Sequence, residues 1–170
     1  MKHTISVTVE DRPGALTRIT TMFARRGFNI DSLAVGPTER PGVSCITLRV
    51  DCAQHTLEQI EKQIHKLVNT LRVTELVPGE AVERELMLIK VSATPDRRAE
   101  LIATATAFSG RVVDLGADTV VFELTGTPEE LDAFHELCRP QGIVELVRTG
   151  RIGISRASAK RTTRRLAAIN

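Results

Sequence analysis

The chain has 170 residues, 42% of them apolar and 26% charged, with a net charge of +2, a composition typical of a globular protein of one or two domains. No apolar run approaches the roughly 18–20 residues that cross a bilayer, and the start of the chain lacks the apolar segment of a secretion signal. We therefore expect a cytoplasmic protein with no membrane partner. The three cysteines form no Cys-x-x-Cys pair, which argues against a disulfide framework or a zinc site.

The charge is unevenly distributed along the chain. Residues 156–170 hold five basic side chains and no acid, whereas the other 155 residues carry a net charge of −3. The chain has five Phe and no Tyr or Trp, although modules that bind single-stranded nucleic acid stack bases on aromatic side chains. We predict no nucleic-acid partner and interpret 157–170 as a solvated basic tail. A nucleic-acid binder remains an alternative that rests on this tail alone.

The first half of the chain predicts six elements in the order β-α-β-β-α-β. Apolar periodicity predicts a strand over 2–9, a helix over 14–26 that ends at Gly27, and strands over 28–35 and 43–50 around a hairpin loop over 36–42. An amphipathic helix over 56–69, with Glu58 four residues before Lys62, precedes a strand over 71–77. The helical positions expected to face the core are Leu16, Ile19, Thr20, Phe23, Leu57, Ile60, Ile64, Leu67 and Val68.

The same order recurs more loosely in the second half. Strands are predicted over 85–93, 111–115, 120–124 and 142–149, and a helix begins at Pro95 and ends at Gly110. Another helix begins with Thr127 as N-cap, Pro128 at its first position and Glu130 at its third, the pattern of a capping box. The helical positions expected to be apolar and inward are Leu101, Ile102, Ala105, Phe108, Leu131, Phe134 and Leu137.

These patterns predict an α+β protein of two ferredoxin-like βαββαβ domains. The predicted divisions are a first domain over 1–78, a linker over 79–84, a second domain over 85–156 and the tail over 157–170. Each domain is expected to be a four-stranded antiparallel sheet with both helices on one face, which leaves a face of Val and Ile bare. A second copy of the chain is the simplest cover, so we expect a homodimer.

The segment that joins the first strand to the first helix has the residues of a small binding site. Gly14 is placed at the mouth of the helix, where the amides of Gly14, Ala15 and Leu16 lack intrahelical acceptors and favour an anion. Asp11 lies just before and can either cap the helix or accept an ammonium group. Asn29, where the second strand begins, offers a donor and an acceptor. This combination suits a zwitterionic α-amino acid, although Asp-x-Pro-Gly before a helix is equally typical of an ordinary cap and turn.

An enzyme is an alternative that the motifs do not favour. The four histidines, His3, His55, His65 and His135, are scattered, and no cluster has metal-ligand spacing. The sequence has no Gly-x-Ser-x-Gly motif and no phosphate-binding loop. We therefore predict no catalytic residue, no metal site and no cofactor in this chain.

Longer strings carry a resemblance to a known family. The stretch VEDRPGALTRITTMFARRGFNIDSLAVGPTERPGVSCITLRV resembles the N-terminal ACT domain of acetolactate synthase (acetohydroxyacid synthase) regulatory subunits. LEQIEKQIHKLVNTLRVTEL and VERELMLIKV resemble the continuation of that family. GRVVDLGADTVVFELTGTPEELDAF and IVELVRTGRIGISR resemble its C-terminal domain. The resemblance runs from about Lys2 to Arg156.

The resemblance implies a regulatory role without catalysis by this chain. It implies a partner, the large catalytic subunit of a transferase complex, which carries thiamine diphosphate, Mg²⁺ and FAD and is activated by the small subunit. It also implies feedback inhibition by valine in branched-chain amino-acid biosynthesis, with the effector held between two ACT domains of a homodimer. The implied effector residues are Asp11, Gly14, Ala15 and Leu16 from one chain and Asn29 and Ile30 from the other; position 11 is often Asn in the family. A stand-alone ACT-type amino-acid sensor for another enzyme is the alternative.

Overall fold

The computed structural model describes residues 2–52 and 57–158. Of these, residues up to Val82 together with 153–158 form one compact unit, and Glu83–Ile152 form a second. The strand predicted from Glu85 begins at Ala81, so it takes up four of the six residues of the predicted linker over 79–84. Ala81 is buried, but Glu83, Arg84 and Glu85 are all charged and show no apolar alternation, so the sequence pattern did not include this part of the strand.

The first unit has the predicted order βαββαβ. Its elements are β1 (Lys2–Glu10), α1 (Ala15–Arg25), β2 (Asn29–Pro37), β3 (Val43–Asp51), α2 (Leu57–His65) and β4 (Thr70–Leu76). The strands form an antiparallel sheet in the order β2-β3-β1-β4, so β2 is an edge strand. Gly27 has φ +68° directly after the C-cap of α1, as its predicted role at the helix end requires. The predicted first residue of the second helix, Thr56, lies outside the described residues.

The core of the first unit forms between one face of the sheet and the two helices. It comprises Ile5, Val7, Val9, Ala15, Ile19, Phe23, Ile46, Leu48, Val50, Ile60 and Ile64. The strand residues alternate because successive side chains point to opposite faces. The predicted ion pair between Glu58 and Lys62 is present at 2.8 Å.

The prediction that Leu16 and Val68 face this core is wrong. Leu16 is 37% exposed, because the inward stripe of α1 runs through Ala15, Ile19 and Phe23 at intervals of four residues. Val68 is 85% exposed, because α2 ends at His65 and the chain then turns away. The small apolar residue Ala15 therefore occupies the buried position that the sequence pattern assigned to Leu16.

The helix-free face of the first sheet is mainly polar, which corrects the expected face of Val and Ile. The register pairs Thr4 with Arg49 and Ser6 with Thr47 on this face. Arg49 donates a hydrogen bond from Nη1 to Thr4 Oγ1 at 3.1 Å. The core residues of β1 and β3 point to the helices instead. Val43 and Cys45 share the open face with Thr47 and Arg49, so only a small part of this face is apolar and it gives a weak apolar argument for a homodimer.

The second sheet repeats the strand order of the first. Its elements are β5 (Ala81–Ser92), α3 (Pro95–Ala107), β6 (Arg111–Leu115), β7 (Thr119–Gly126), α4 (Pro128–Cys138), a 3-10 turn (Arg139–Gln141), β8 (Ile143–Arg148) and β9 (Ile152–Ser155). The order is β6-β7-β5-β8, and β9 pairs with β5. The fifth strand is an addition to the four that were predicted, because four residues after the turn at Gly150 are too few to show a period.

The helices of the second unit follow the predicted caps but differ in two details. The capping box is confirmed: the Thr127 N–H donates to Glu130 Oε2 at 2.7 Å, and the Glu130 N–H donates to Thr127 Oγ1 at 3.3 Å. Ser109, with φ +57°, rather than Gly110 adopts the left-handed conformation after α3. Leu137, predicted to face inward, is 51% exposed, and Cys138 is buried in its place.

Candidate functional site

The loop between β1 and α1 is held in place by backbone hydrogen bonds. The Asp11 N–H donates to the Gly42 carbonyl at 2.8 Å, and the Ala15 N–H donates to the Arg12 carbonyl at 3.1 Å. Gly14 is the N-cap of α1 with φ +83°, a left-handed conformation that favours glycine. The helix therefore begins at Ala15, one residue later than predicted, with Gly14 exposed at its mouth.

The structure changes which amides are available at this mouth. The Ala15 amide is used within the loop, and the Ala15 side chain is buried. Among the backbone contacts of the described residues, the amides of Gly14, Leu16 and Thr17 donate to no carbonyl. The Thr17 amide was not predicted as part of the site. Which amides lie in the first turn of a helix depends on the residue at which the helix begins. The result is a helix N-terminus with free N–H donors beside the partly exposed, apolar side chain of Leu16.

Asp11 does not cap the helix. Among the described residues no side-chain hydrogen bond caps α1, and Asp11 is exposed. Its basic neighbour Arg12 is bonded to Glu10 at 3.0 Å, and Glu10 also accepts from Asn69 at 3.2 Å. In the part of the chain that the structure describes, the Asp11 side chain has no ion-pair or hydrogen-bond partner. Of its two possible roles, accepting a ligand cation is the one that the geometry leaves open.

Asn29 is the first residue of β2 and its amide is oriented by an acid. Asn29 Nδ2 donates to Asp31 Oδ1 at 2.7 Å, and Asp31 Oδ2 pairs with Lys2 Nζ at 2.6 Å. One of the two Nδ2 donors is used, so Asn29 keeps its second N–H and its carbonyl oxygen for a further group. Ile30 follows, half-buried against the core of the first unit.

The sheet keeps these two groups of residues apart within one chain. At one end of β3, Val43 pairs with Glu10, just before Asp11. At the other end, Asp51 pairs with both Lys2 and Asn29. Eight strand residues separate the two levels, which is roughly 26 Å at the usual rise. One chain therefore does not bring Asp11 and Gly14 together with Asn29 and Ile30, and a single amino acid can touch both groups only if two chains contribute them.

Groups suited to chemistry or metal binding are dispersed. Among residues 2–52 and 57–158, no three His, Cys, Asp or Glu side chains are placed to hold a metal ion. Cys45, Cys52 and Cys138 are free thiols, and burial raises the pKa of Cys138 to about 11, which keeps that thiol protonated. His55 lies outside the described residues. Within those residues no helix is long and apolar enough to cross a membrane.

Both units match known protein families. Residues 5–72 match the family described as the AHAS small subunit-like ACT domain. Residues 84–157 match the family described as the small subunit of acetolactate synthase. The two matches follow one another in the order that the sequence resemblance implied.

Similar proteins span nearly the whole chain. The probable acetolactate synthase small subunit of Archaeoglobus fulgidus is 44% identical over 94% of this chain and all of its own length. The acetolactate synthase small subunit of Mycolicibacterium smegmatis is 44% identical, with 91% of each chain covered. The crystal structure of the small subunit from Thermotoga maritima is similar with a TM-score of 0.84 and 37% identity over 92% of this chain and 98% of that one. The resemblance stated from the sequence is thereby confirmed, and this chain belongs to the acetolactate synthase small-subunit family, with an N-terminal ACT domain.

Proposed function

We propose that this chain binds the catalytic subunit of acetolactate synthase in the cytoplasm, raises its activity, and makes it sensitive to feedback inhibition by valine. In this proposal the chain performs no catalysis. Thiamine diphosphate, Mg²⁺ and FAD belong to the catalytic subunit, and the chain acts in the synthesis of valine, leucine and isoleucine. The family to which it belongs supports the partner. The observation that carries the effector site is the helix mouth at Gly14 with an unpaired carboxylate at Asp11.

The mouth of α1 offers complementary groups to a zwitterion. The free amides of Gly14 and Leu16 and the positive end of the helix receive the carboxylate. Asp11 receives the ammonium, since an ion pair of this kind shortens and strengthens the hydrogen bond. The exposed side chain of Leu16 provides apolar contact for a branched side chain. The N-cap Gly14 has no Cβ, which lets the ligand approach the backbone.

A homodimer completes the site. Asn29 and Ile30 lie roughly 26 Å away along the same sheet, so in our proposal they come from the partner chain. Strand β2, which carries them, is an edge strand that pairs only with β3 in the described part of the chain, and open edges of this kind can join two sheets. A two-fold axis then creates two equivalent effector sites per dimer.

Regulation follows from the position of the ligand between chains. A ligand shifts an equilibrium only by the difference in its affinity for the two states. Valine that contacts both chains stabilises one spacing of the two ACT domains over others, and a coupling of about 1–3 kcal/mol changes an affinity roughly 5–150-fold. The catalytic subunit, which holds the dimer, responds to that spacing.

Calorimetric titration with L-valine, L-leucine, L-isoleucine and D-valine tests the effector site. We expect saturable binding of L-valine at two sites per dimer and none of D-valine, followed by activation and valine-dependent inhibition when the catalytic subunit is added. Activation without any amino-acid binding would contradict the effector assignment alone. The stand-alone sensor is disfavoured, because residues 84–157 match the small-subunit family itself.

A further inference from the structure

A basic groove lies between α1 and α2 of the first unit. Its main cavity has a volume of about 740 Å³ and reaches from Gly14 at the mouth of α1 to the last turn of that helix. A second cavity of about 370 Å³ continues it, and the two share Arg25, Arg26 and Gln63. We call this surface the α1–α2 groove; its basic residues are Arg18, Arg25, Arg26 and Lys66.

The positive charge of the α1–α2 groove is not compensated within the described part of the chain. No residue that lines either cavity there is acidic. Arg18 bonds the neutral side chain of Asn69 at 2.7 Å. Arg25, Arg26 and Lys66 are exposed and have neither an ion pair nor a side-chain hydrogen bond among the described contacts.

Asp11, at the mouth of α1, has no partner in the described structure but lines neither cavity; the other acids near the groove have partners. Glu58 of α2 pairs with Lys62 at 2.8 Å, and Glu61 also has a partner. Glu10, before the mouth of α1, pairs with Arg12 at 3.0 Å. The surface near the α1–α2 groove therefore attracts negative charge from outside the chain.

The basic groups are spread along the groove rather than gathered at one point. Arg18 and Arg25 are seven residues apart on α1, which places them on the same face and roughly 10 Å apart along the axis. Lys66 follows α2 and adds a charge from the opposite wall. A single small anion contacts only one of these basic groups. Two carboxylates that lie two turns apart on a helix, by contrast, have the same spacing as Arg18 and Arg25.

The floor between the basic groups is apolar. Met22 of α1 and Leu67, just after α2, are both half-buried and line the cavity. An apolar floor with a charged rim is the surface that receives an amphipathic segment of another protein, because the apolar side chains of the segment cover the floor while its charges meet the rim. The adaptable thioether of Met22 suits such a surface.

We propose that the α1–α2 groove is the docking surface for an acidic, amphipathic segment of the catalytic subunit. This inference rests on the proposed function, since it names where that partner binds. It separates the chain into two working surfaces: the mouth of α1 for the effector, and the groove, along the same helix, for the partner. Because Gly14 belongs to both, a ligand at the mouth lies directly beside the docked segment.

Charge reversal tests this docking surface in the full chain. Arg25→Glu should weaken binding to the catalytic subunit about tenfold at low salt, and Arg25→Glu with Lys66→Glu should weaken it further. The loss should shrink at high salt, because screening suppresses exposed charge interactions. Arg72→Glu is the matched control: Arg72 is an exposed cation of β4 in the same unit, bonded to Thr74 at 3.1 Å, and its reversal should change the affinity less than twofold. All variants should bind L-valine as the unaltered chain does.

The outcomes separate this inference from the proposed function. If the unaltered chain fails to bind the catalytic subunit, the proposed function and the inference both fail. If it binds and Arg25→Glu binds equally well, only the inference is overturned. A variant that instead loses its homodimer, measured by light scattering, would assign the groove to a second copy of this chain and overturn the inference as well.

Carbodiimide cross-linking gives a second and independent readout. The reagent joins a carboxylate to an amine that touches it, so Lys66 in the docked complex should become linked to an Asp or Glu of the catalytic subunit. Mass spectrometry identifies the linked peptide. Lys66→Arg keeps the charge and removes the amine, and it should assemble normally without forming this link. A complex in which Lys66 remains unlinked while amines elsewhere react would contradict docking in the groove.

Discussion

Asp11 and Asn29 lie at opposite ends of the first sheet, because Asp51 of β3 pairs with Asn29 while Val43, at the other end of β3, pairs with Glu10. The separation along the strands is roughly 26 Å. Each residue has a ligand-facing group left open: the Asp11 carboxylate has no partner in the described structure, and the Asn29 amide is bonded through its nitrogen alone. A shared ligand therefore requires two chains.

A negative charge introduced at position 14 should weaken the binding of valine. Gly14→Asp places a carboxylate where the ligand carboxylate is proposed to lie, and feedback inhibition should need at least about ten times more valine, the equivalent of about 1.4 kcal/mol. The control is Gly14→Asn, which has the same shape and also tolerates the left-handed conformation at φ +83°. If both variants lose feedback equally, bulk or backbone strain rather than charge is responsible. Activation of the catalytic subunit is measured in the same assays, because Gly14 also lines the α1–α2 groove.

The orientation of Asn29 should depend on Asp31. Asp31→Ala removes the acceptor that fixes Asn29 Nδ2 at 2.7 Å, so L-valine affinity measured by calorimetry should fall several-fold, as expected for one lost hydrogen bond. Lys2→Met removes the neighbouring ion pair with Asp31 and leaves the Asn29 contact in place. This control should bind valine almost normally. Equal losses in the two variants would mean that the local charge, and not the amide orientation, matters.

Truncation of a side chain on the inward face of α4 should lower the free energy of unfolding more than truncation of one on its exposed face. Leu131→Ala opens a cavity at a side chain that is 1% exposed and should lower the free energy of unfolding by about 2–5 kcal/mol. Leu137→Ala, on the same helix but at a 51% exposed position, should cost less than about 1 kcal/mol. Urea unfolding of the two variants measures the difference. Similar losses would place Leu137 in the core, as the sequence pattern predicted.

The capping box should make part of the free energy of unfolding depend on pH. The backbone and side chain of Thr127 bond the Glu130 carboxylate and lower its pKa. A lowered folded-state pKa means a stabilisation that is complete above the ordinary pKa of Glu and is lost as the pH falls through the folded-state value. Glu130→Gln should therefore narrow the difference in urea midpoint between neutral pH and about pH 3. A variant with an unchanged pH dependence would show that this carboxylate contributes nothing to it.

Local signals in the sequence predicted the elements and their caps well. The capping box needs only Thr127 and Glu130 three residues apart, and the Glu58–Lys62 pair needs only helical spacing. The residues that face inward were harder to predict, because Ala15 and Leu16 are adjacent on α1 and the small residue faces the core while the larger one faces solvent. The strand β9 was missed because its four residues carry no measurable period.

The candidate site was predictable in its residue types but not in its assembly. Asp-x-Pro-Gly before a helix indicates a mouth with free amides, and the structure places Gly14 there. That the Ala15 amide is already used by Arg12 depends on the loop conformation, which no residue type specifies. The distance between Asp11 and Asn29 is a property of strand register and emerges only once both strands are paired with β3.

Mixing two defective variants tests the shared site most directly. Asp11→Ala and Asn29→Ala each remove one half of every site, so each homodimer should fail to bind L-valine. After the two are unfolded and refolded together, a mixed dimer contains one site with both halves intact, and a random mixture should recover about a quarter of the normal binding capacity, because half of its dimers are mixed and each has one of two sites. Recovery near that level, measured by calorimetry, is the result we predict. No recovery from a mixture shown to contain mixed dimers would place both residues' contributions within one chain and contradict the account.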